Sequence, residues 1–442
     1  MKVYDFIGIG IGPFNLSIAA LSEKISDFST LFLEAKPAFS WHPGLMVPEC
    51  HMQTGFLKDL VTAVDPTNPY SFLNYLVQRK KFYRFVTTEQ QNLSREEFAD
   101  YLTWTARQLT NLSFNQQVSR IDYDTEHKWF VIETQQDRYY ARHICQGIGK
   151  KLALPDCIEQ SNSACFHASE MMLRSPSLLN KRVTIVGGGQ SGADLFLNIF
   201  RGEWGQPRAL NWVSRRNNFN ALDEAAFANE YFTPDYLSSF SRLDDKVRDS
   251  LLQEQKMTSD GITNASLLAI YRAMYHQFDV LRDPIWAHLY PSRSVTRIQN
   301  DAQGQIVQLI HHLDQQREQL HSDITIFATG YLPATADFMA PLADKLVRDD
   351  QQRLQINTDF TLQWQHSAEN KIFALNAGMH NLGIAEPQLS LMAWRAATVI
   401  NTAYNKPHFD LSTSPAIIQW LSQTTNTTHS RHQAGSLSAT LL

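Results

Sequence analysis

Hydrophobic positions in this chain follow two alternating rhythms. Residues 3–9 form a nearly unbroken apolar run, the pattern of a parallel strand buried on both faces. The run passes into Gly8-Ile9-Gly10-Ile11-Gly12-Pro13, and from Phe14 to Leu21 the apolar positions recur at helical spacing. Ser29 to Leu33 is apolar again and ends at Glu34, which predicts a βαβ unit. The same order returns near Lys181. Val183 to Val186 predicts a strand, Gly187-Gly188-Gly189-Gln190-Ser191-Gly192 a turn, and Ala193 to Phe200 a helix. Leu195, Phe196, Ile199 and Phe200 share one face of that helix, Gly202 ends it, and Leu210 to Val213 is the next strand.

Between and after these units the rhythm changes. Phe39 to Pro69 has no clean period and reads as ordered loops with short helices. Ser94-Arg95-Glu96-Glu97 is a capping box that opens a helix through Leu109. Ser113 to Thr134 reads as antiparallel strands, and Ile144 to Gly149 as a strand ending on a glycine turn. Residues 220–282 are helical in pattern, with more charge and more aromatics, and read as an insertion. Strands return near Ser294 to His312, at Asp323 to Phe327 and at Ile372 to Ala377, and a helix follows from about Gln388 to Thr402. After Trp420 the chain turns to Thr, Ser, Asn, His and Gln, a composition expected to be disordered.

Both glycine turns sit where a strand hands over to a helix. There glycine lets the backbone approach a pyrophosphate, and the helix N-terminus offers N–H donors and partial positive charge. Gly8, Gly10, Gly12, Pro13 and Phe14 form the first candidate site; Gly187, Gly189, Gln190, Ser191 and Gly192 form the second. Glu34 lies 22 positions after Gly12, where an acid accepts hydrogen bonds from ribose hydroxyls and repels a 2′-phosphate. The second unit instead ends at Ser214-Arg215-Arg216, a hydroxyl and two guanidiniums suited to a 2′-phosphate. The expectation is FAD or NAD, rather than NADP, in the first site and NADPH in the second, with a flavin and a nicotinamide as the pair.

The 442 residues suffice for two or three domains. A net charge of −5 argues against a nucleic-acid surface. Cys50, Cys145, Cys157 and Cys165 contain no C-x-x-C pair, which disfavours a zinc ribbon or a dithiol redox centre and fits a cytoplasmic protein. Asp5 interrupts the N-terminal apolar run, so it does not read as a signal peptide, and no stretch approaches the roughly 20 apolar residues of a membrane span. The histidines show no metal-ligand spacing, so no metal is expected.

Phe6 to Ser17, Phe39 to Leu60, Arg182 to Leu195, Asn211 to Pro234, Phe327 to Tyr331 and Gly383 to Trp394 resemble the flavin-dependent N-hydroxylating monooxygenases of siderophore biosynthesis. Asn217 to Glu224 and Ile384 to Leu391 carry the resemblance most specifically, and within the family the lysine N6-hydroxylases of the aerobactin pathway are most similar. The resemblance implies an α/β fold with two Rossmann-like dinucleotide-binding domains, for FAD and NADPH, and a helical substrate-binding insertion. On that plan residues 1–168 begin the FAD domain, 169–322 form the NADPH domain with the insertion at about 217–290, 323–422 complete the FAD domain, and 423–442 are the tail.

The resemblance also implies roles. Gln53 lies between flavin and nicotinamide, Trp41 and His42 line the flavin, and Gln388 and Leu389 contact it. Lys58 and Asn229 hold the substrate, while Thr258 and Ala385 stand where ornithine enzymes carry an asparagine and a serine. The implied reaction is N-hydroxylation of the terminal amine of lysine by O2 through a C4a-hydroperoxyflavin, in a homo-oligomer such as a tetramer. Cadaverine, putrescine or histamine as substrate, or a non-catalytic redox sensor, are the alternatives.

Overall fold

The computed structural model describes residues 2–158, 162–334 and 336–422. The tail expected at 423–442 lies outside the described residues. Two sheets organise the chain. In the first, Val3–Ile9 is flanked in parallel by Thr30–Leu33 and Arg138–Gln146, with Leu112–Ser113 beyond Thr30–Leu33. Arg138–Gln146 is shared between two neighbours. Its first half pairs antiparallel with Trp129–Thr134, and Ile144 to Gln146 pair in parallel with Ile372–Ala374. The Phe6 ring, fully buried, meets Phe28, Phe32 and Phe373 at centroid distances of 5.9–6.2 Å. The opening strand and the segment around Phe373 therefore share one core; truncating such a ring costs about 3–5 kcal/mol.

The second sheet is parallel and five-stranded, in the order Cys165–His167, Ile324–Phe327, Arg182–Val186, Ala209–Val213, Ala287–Tyr290. Boundaries expected at 168 and 323 thus fall beside strands of this sheet: 165–167 and 324–327 belong to it. The helical insertion also ends earlier than about 290, because Ala287 already pairs with Leu210. Sequence reading placed no strand at Ala287–Tyr290, whose alternation is short and interrupted by His288. A three-stranded antiparallel sheet, Arg293–Asp301, Gly304–His311 and Arg317–Ser322, follows.

Local chemistry sets the helix starts. Ser94 Oγ accepts the Glu97 N–H at 3.1 Å and opens Arg95–Ala106, while the Glu97 carboxylate pairs with Lys81 at 2.6 Å. Among the described residues no helix is long and apolar enough to cross a membrane.

Candidate functional site

Helices that begin at the two glycine turns differ from those opened by Ser71, Ser94, Thr233 and Thr263. The latter carry side-chain caps. Pro13–Ser22 and Gln190–Phe200 begin at Gly12 and Gly189 with none. Their first-turn N–H groups are left for a ligand, as an anion-binding helix terminus requires.

In the first turn Gly10 has φ +85°, and Asn15 Nδ2 donates to the carbonyls of Ile9 (3.2 Å) and Gly10 (2.7 Å). Glu34 Oε2 accepts the Ile11 N–H at 2.8 Å and Oε1 the Lys36 N–H at 3.0 Å. Each oxygen keeps a further lone pair, so Glu34 can hold the turn and still receive ribose hydroxyls. The segment Ile384 to Leu391 lies against this turn through Arg395, whose buried guanidinium stacks over Phe14 at 4.1 Å and donates to the Gln388 carbonyl at 3.4 Å. Asn376 Oδ1, Glu386 Oε2 and Ser390 Oγ are buried there without partners. Unpaired buried acceptors and hydroxyls mark a site made for a polar group, and the chemistry fits a flavin dinucleotide.

The second turn is tighter. Gly187 has φ +133°, and a side-chain carbon there would overlap the carbonyl oxygen of Ala328. A cavity of about 1110 Å³ opens beside it. Gly187, Gly189, Gln190 and Ser191 line it, as do Ser214, Arg215 and Arg216, and so does Gln53, on a short strand, His51–Gly55, that pairs antiparallel with Asn92–Ser94 inside the stretch expected to be loops and short helices. Arg216 is already engaged: Nη1 donates to Gly188 O at 2.8 Å and Nη2 to Asp260 O at 2.9 Å. Arg293, also on the wall, is paired with Glu318 at 2.7 Å. Arg215, Lys150 and Lys256 line the same space with no ion pair among the described residues. This cationic lining suits a phosphorylated dinucleotide. Sequence reasoning missed Lys150 and Lys256. Lys150 follows the Gly147-Ile148-Gly149 turn that closes Arg138–Gln146, a signal that could have found it.

The remaining expected residues lie off this cavity's wall. Trp41 packs edge-on against His42 (5.1 Å) and Phe98 (5.2 Å), under the Arg95 guanidinium. Lys58 is exposed in a loop pinned by its neighbour. The buried Asp59 carboxylate accepts the N–H groups of Val61, Thr62 and Phe72 at 2.6–2.9 Å. Asn229 is exposed on the short turn Ala228–Phe232. Thr258 is buried with its hydroxyl given to the Gln255 carbonyl, and Ala385 is fully buried. Neither presents a polar group of the kind expected in ornithine enzymes.

Residues 2–333 match the family described as L-lysine 6-monooxygenase/L-ornithine 5-monooxygenase. The chain belongs to this family. It is 57% identical to the L-lysine N6-monooxygenase of Escherichia coli over 96% of this chain and 100% of that one. The FAD-bound cadaverine monooxygenase of the desferrioxamine pathway from Erwinia amylovora superposes with a TM-score of 0.90 at 28% identity, covering 96% of this chain and 100% of that one. An ornithine N-hydroxylase of Kutzneria, solved with reduced FAD, NADP+ and L-ornithine, gives 0.85 at 25% identity, over 91% and 99%. Family membership accounts for two uncapped glycine turns in one chain: a monooxygenase of this kind needs one dinucleotide to bring electrons and another to spend them on oxygen.

Proposed function

We propose that this enzyme N-hydroxylates the terminal amine of L-lysine, with FAD on the first glycine turn, NADPH on the second and O2 as co-substrate. The observation that carries the reading is the shared cavity. Gln53, on the short strand His51–Gly55, lines the same cavity as the second glycine turn, in a chain 57% identical to a lysine N6-monooxygenase over 96% of its length.

Bound flavin takes electrons from NADPH and supplies activated oxygen to the amine. The chain's own groups do the rest. Arg215 and Ser214 receive the 2′-phosphate, and the Gly189–Ser191 N–H groups receive the pyrophosphate. Gln53 orders the space between the two rings. Lys58 meets the substrate carboxylate, which leaves the far amine to reach the flavin. That amine must be neutral to react, yet at pH 7 a lysine side chain is neutral in only roughly four molecules per ten thousand. Enclosure in a dry pocket lowers its pKa and raises that fraction. The hydroxylamine product suits assembly of a hydroxamate siderophore. On the same reading the enzyme is a cytoplasmic homo-oligomer, and its unpaired thiols at Cys50, Cys145, Cys157 and Cys165 are at home in a reducing compartment.

The test is NADPH oxidation and hydroxylamine formation with lysine, ornithine, cadaverine, putrescine and histamine in parallel. Lysine should give the highest kcat/KM. A preference for cadaverine would overturn the substrate and leave the N-hydroxylase standing. NADPH consumption that no amine stimulates would overturn both.

A further inference from the structure

Three segments of different purpose converge on the first turn of helix Gln190–Phe200. Both donors and one acceptor position of the Gln190 carboxamide are used by protein groups outside the cavity wall. Oε1 accepts the main-chain N–H of Thr263 at 2.8 Å, and Nε2 donates to Asp194 Oδ1 (2.8 Å) and Ser266 Oγ (2.9 Å). Thr263 is the N-cap of Asn264–Tyr275 in the insertion, so this one side chain fixes the insertion to the nicotinamide turn. The other Asp194 oxygen accepts the buried Cys50 thiol at 3.0 Å. Cys50 lies three residues before Gln53, and Asn198, one turn further along the helix, donates to Pro48 O at 3.1 Å. A second tie, Arg216 to Asp260 O, holds the insertion at the same place.

We propose that Gln190 and Asp194 are positioning residues. They set the strand that carries Gln53 and the substrate insertion at fixed distances from the NADPH turn, so that oxygen activated with NADPH's electrons passes one atom to the amine and the other to water instead of being released as peroxide. The proposal rests on the N-hydroxylase reading and adds a role for the Gln190 side chain to the cofactor-binding role expected of its position in the turn. Groups that must act within a few tenths of an ångström of one another lose efficiency when their supports loosen.

The experiment compares full-length holoenzyme carrying Gln190→Leu, Asp194→Ala, Asp194→Asn or Ser266→Ala. It measures NADPH oxidised, hydroxylamine and peroxide formed, KM for NADPH, and Tm. Gln190→Leu and Asp194→Ala should lower hydroxylamine per NADPH at least threefold, with peroxide making up the difference and KM for NADPH within twofold. Asp194→Asn keeps the bond from Gln190 on its carboxamide oxygen and can donate from its amide nitrogen to the Cys50 sulfur, reversing that bond, so it should stay within twofold of wild-type yield. Ser266→Ala, which removes one acceptor, should fall by about half; it decides the matter if the harsher variants do not fold. Unchanged yield with a lowered Tm would make the brace merely structural and overturn the proposal. So would a rise in KM for NADPH with normal yield, which would return Gln190 to cofactor binding. Wild-type enzyme that no amine stimulates would instead remove the functional reading beneath it.

Discussion

The Arg216 guanidinium donates to the carbonyl oxygen of Gly188 at 2.8 Å, which makes this arginine part of the wall of the second glycine turn. Arg215, its neighbour, is exposed to the cavity. The two arginines that look equivalent in sequence therefore predict different phenotypes. Arg215→Ala should raise KM for NADPH at least tenfold and leave NADH nearly unchanged, since a charge-assisted bond to phosphate contributes about 1.5–3 kcal/mol. Arg216→Ala should weaken both nucleotides, because it frees the turn that both require. Steady-state kinetics with each nucleotide separates the cases; an Arg215→Ala enzyme with the parental NADPH/NADH ratio would refute the assignment.

Gln53 borders the same cavity from the short strand His51–Gly55, and its side chain makes no hydrogen bond among the described residues. Gln53→Ala should still oxidise NADPH, with more peroxide released per hydroxylamine formed. Normal product yield per NADPH in this single variant would rule the role out.

Lys58 distinguishes an amino acid from a diamine. A substrate carboxylate facing its ammonium should favour lysine over cadaverine, and Lys58→Ala should lower kcat/KM for lysine tenfold or more, about 1.4 kcal/mol per factor of ten, while cadaverine loses less. Equal losses for the two amines would place Lys58 elsewhere in the reaction.

Gly187→Ala should abolish binding to the second site. The positive φ is costly for any side chain, and the new carbon would displace Ala328. Fluorescence titration with NADPH, together with flavin content as a check on the first site, tests this; retained NADPH affinity would be the contrary result.

A pH dependence follows from His143. Burial, with Lys371 nearby, holds its pKa down to about 4, and its Nδ1 accepts the Lys371 N–H at 3.0 Å. The unfolded chain, with a histidine pKa near 6.5, takes up the proton first. Stability from this group is therefore complete above pH 6.5 and is lost as pH falls toward 4, by about 3 kcal/mol at most. His143→Asn keeps an acceptor that cannot be protonated. Its Tm should fall less than the parental Tm between pH 7 and pH 5; identical slopes would exclude His143 as a source.

Local features were legible in the sequence. Both glycine turns, the Ala193 to Phe200 face and the helix after Ser94 stand where periodicity and capping placed them, because each is decided within a few neighbouring residues. What escaped depends on distant partners. Cys165–His167 and Ala287–Tyr290 are too short for their own pattern to show, and they become strands through Ile324–Phe327 and Ala209–Val213. The site divides the same way. The glycine turns are visible as motifs and Gln53 enters only through the family resemblance, whereas the clamped state of Arg216 and the bonds of the Gln190 carboxamide follow from an insertion folded back across more than 40 residues.

The divided strand Arg138–Gln146 has a consequence for how the protein is made. Its upper edge, from Ile144 to Gln146, stays uncovered until Ile372–Ala374 leaves the ribosome, more than 220 residues later. The strands of the second sheet, from Cys165 to Phe327, have all been synthesised by then and need nothing further along the chain to pair. Synthesis thus favours completing the interior of the protein's middle first, while its opening strands wait with an unpaired edge. A nascent chain stalled near residue 370 would carry a finished second sheet and an open first one, and it is this half-made form that chaperones would be called on to shelter.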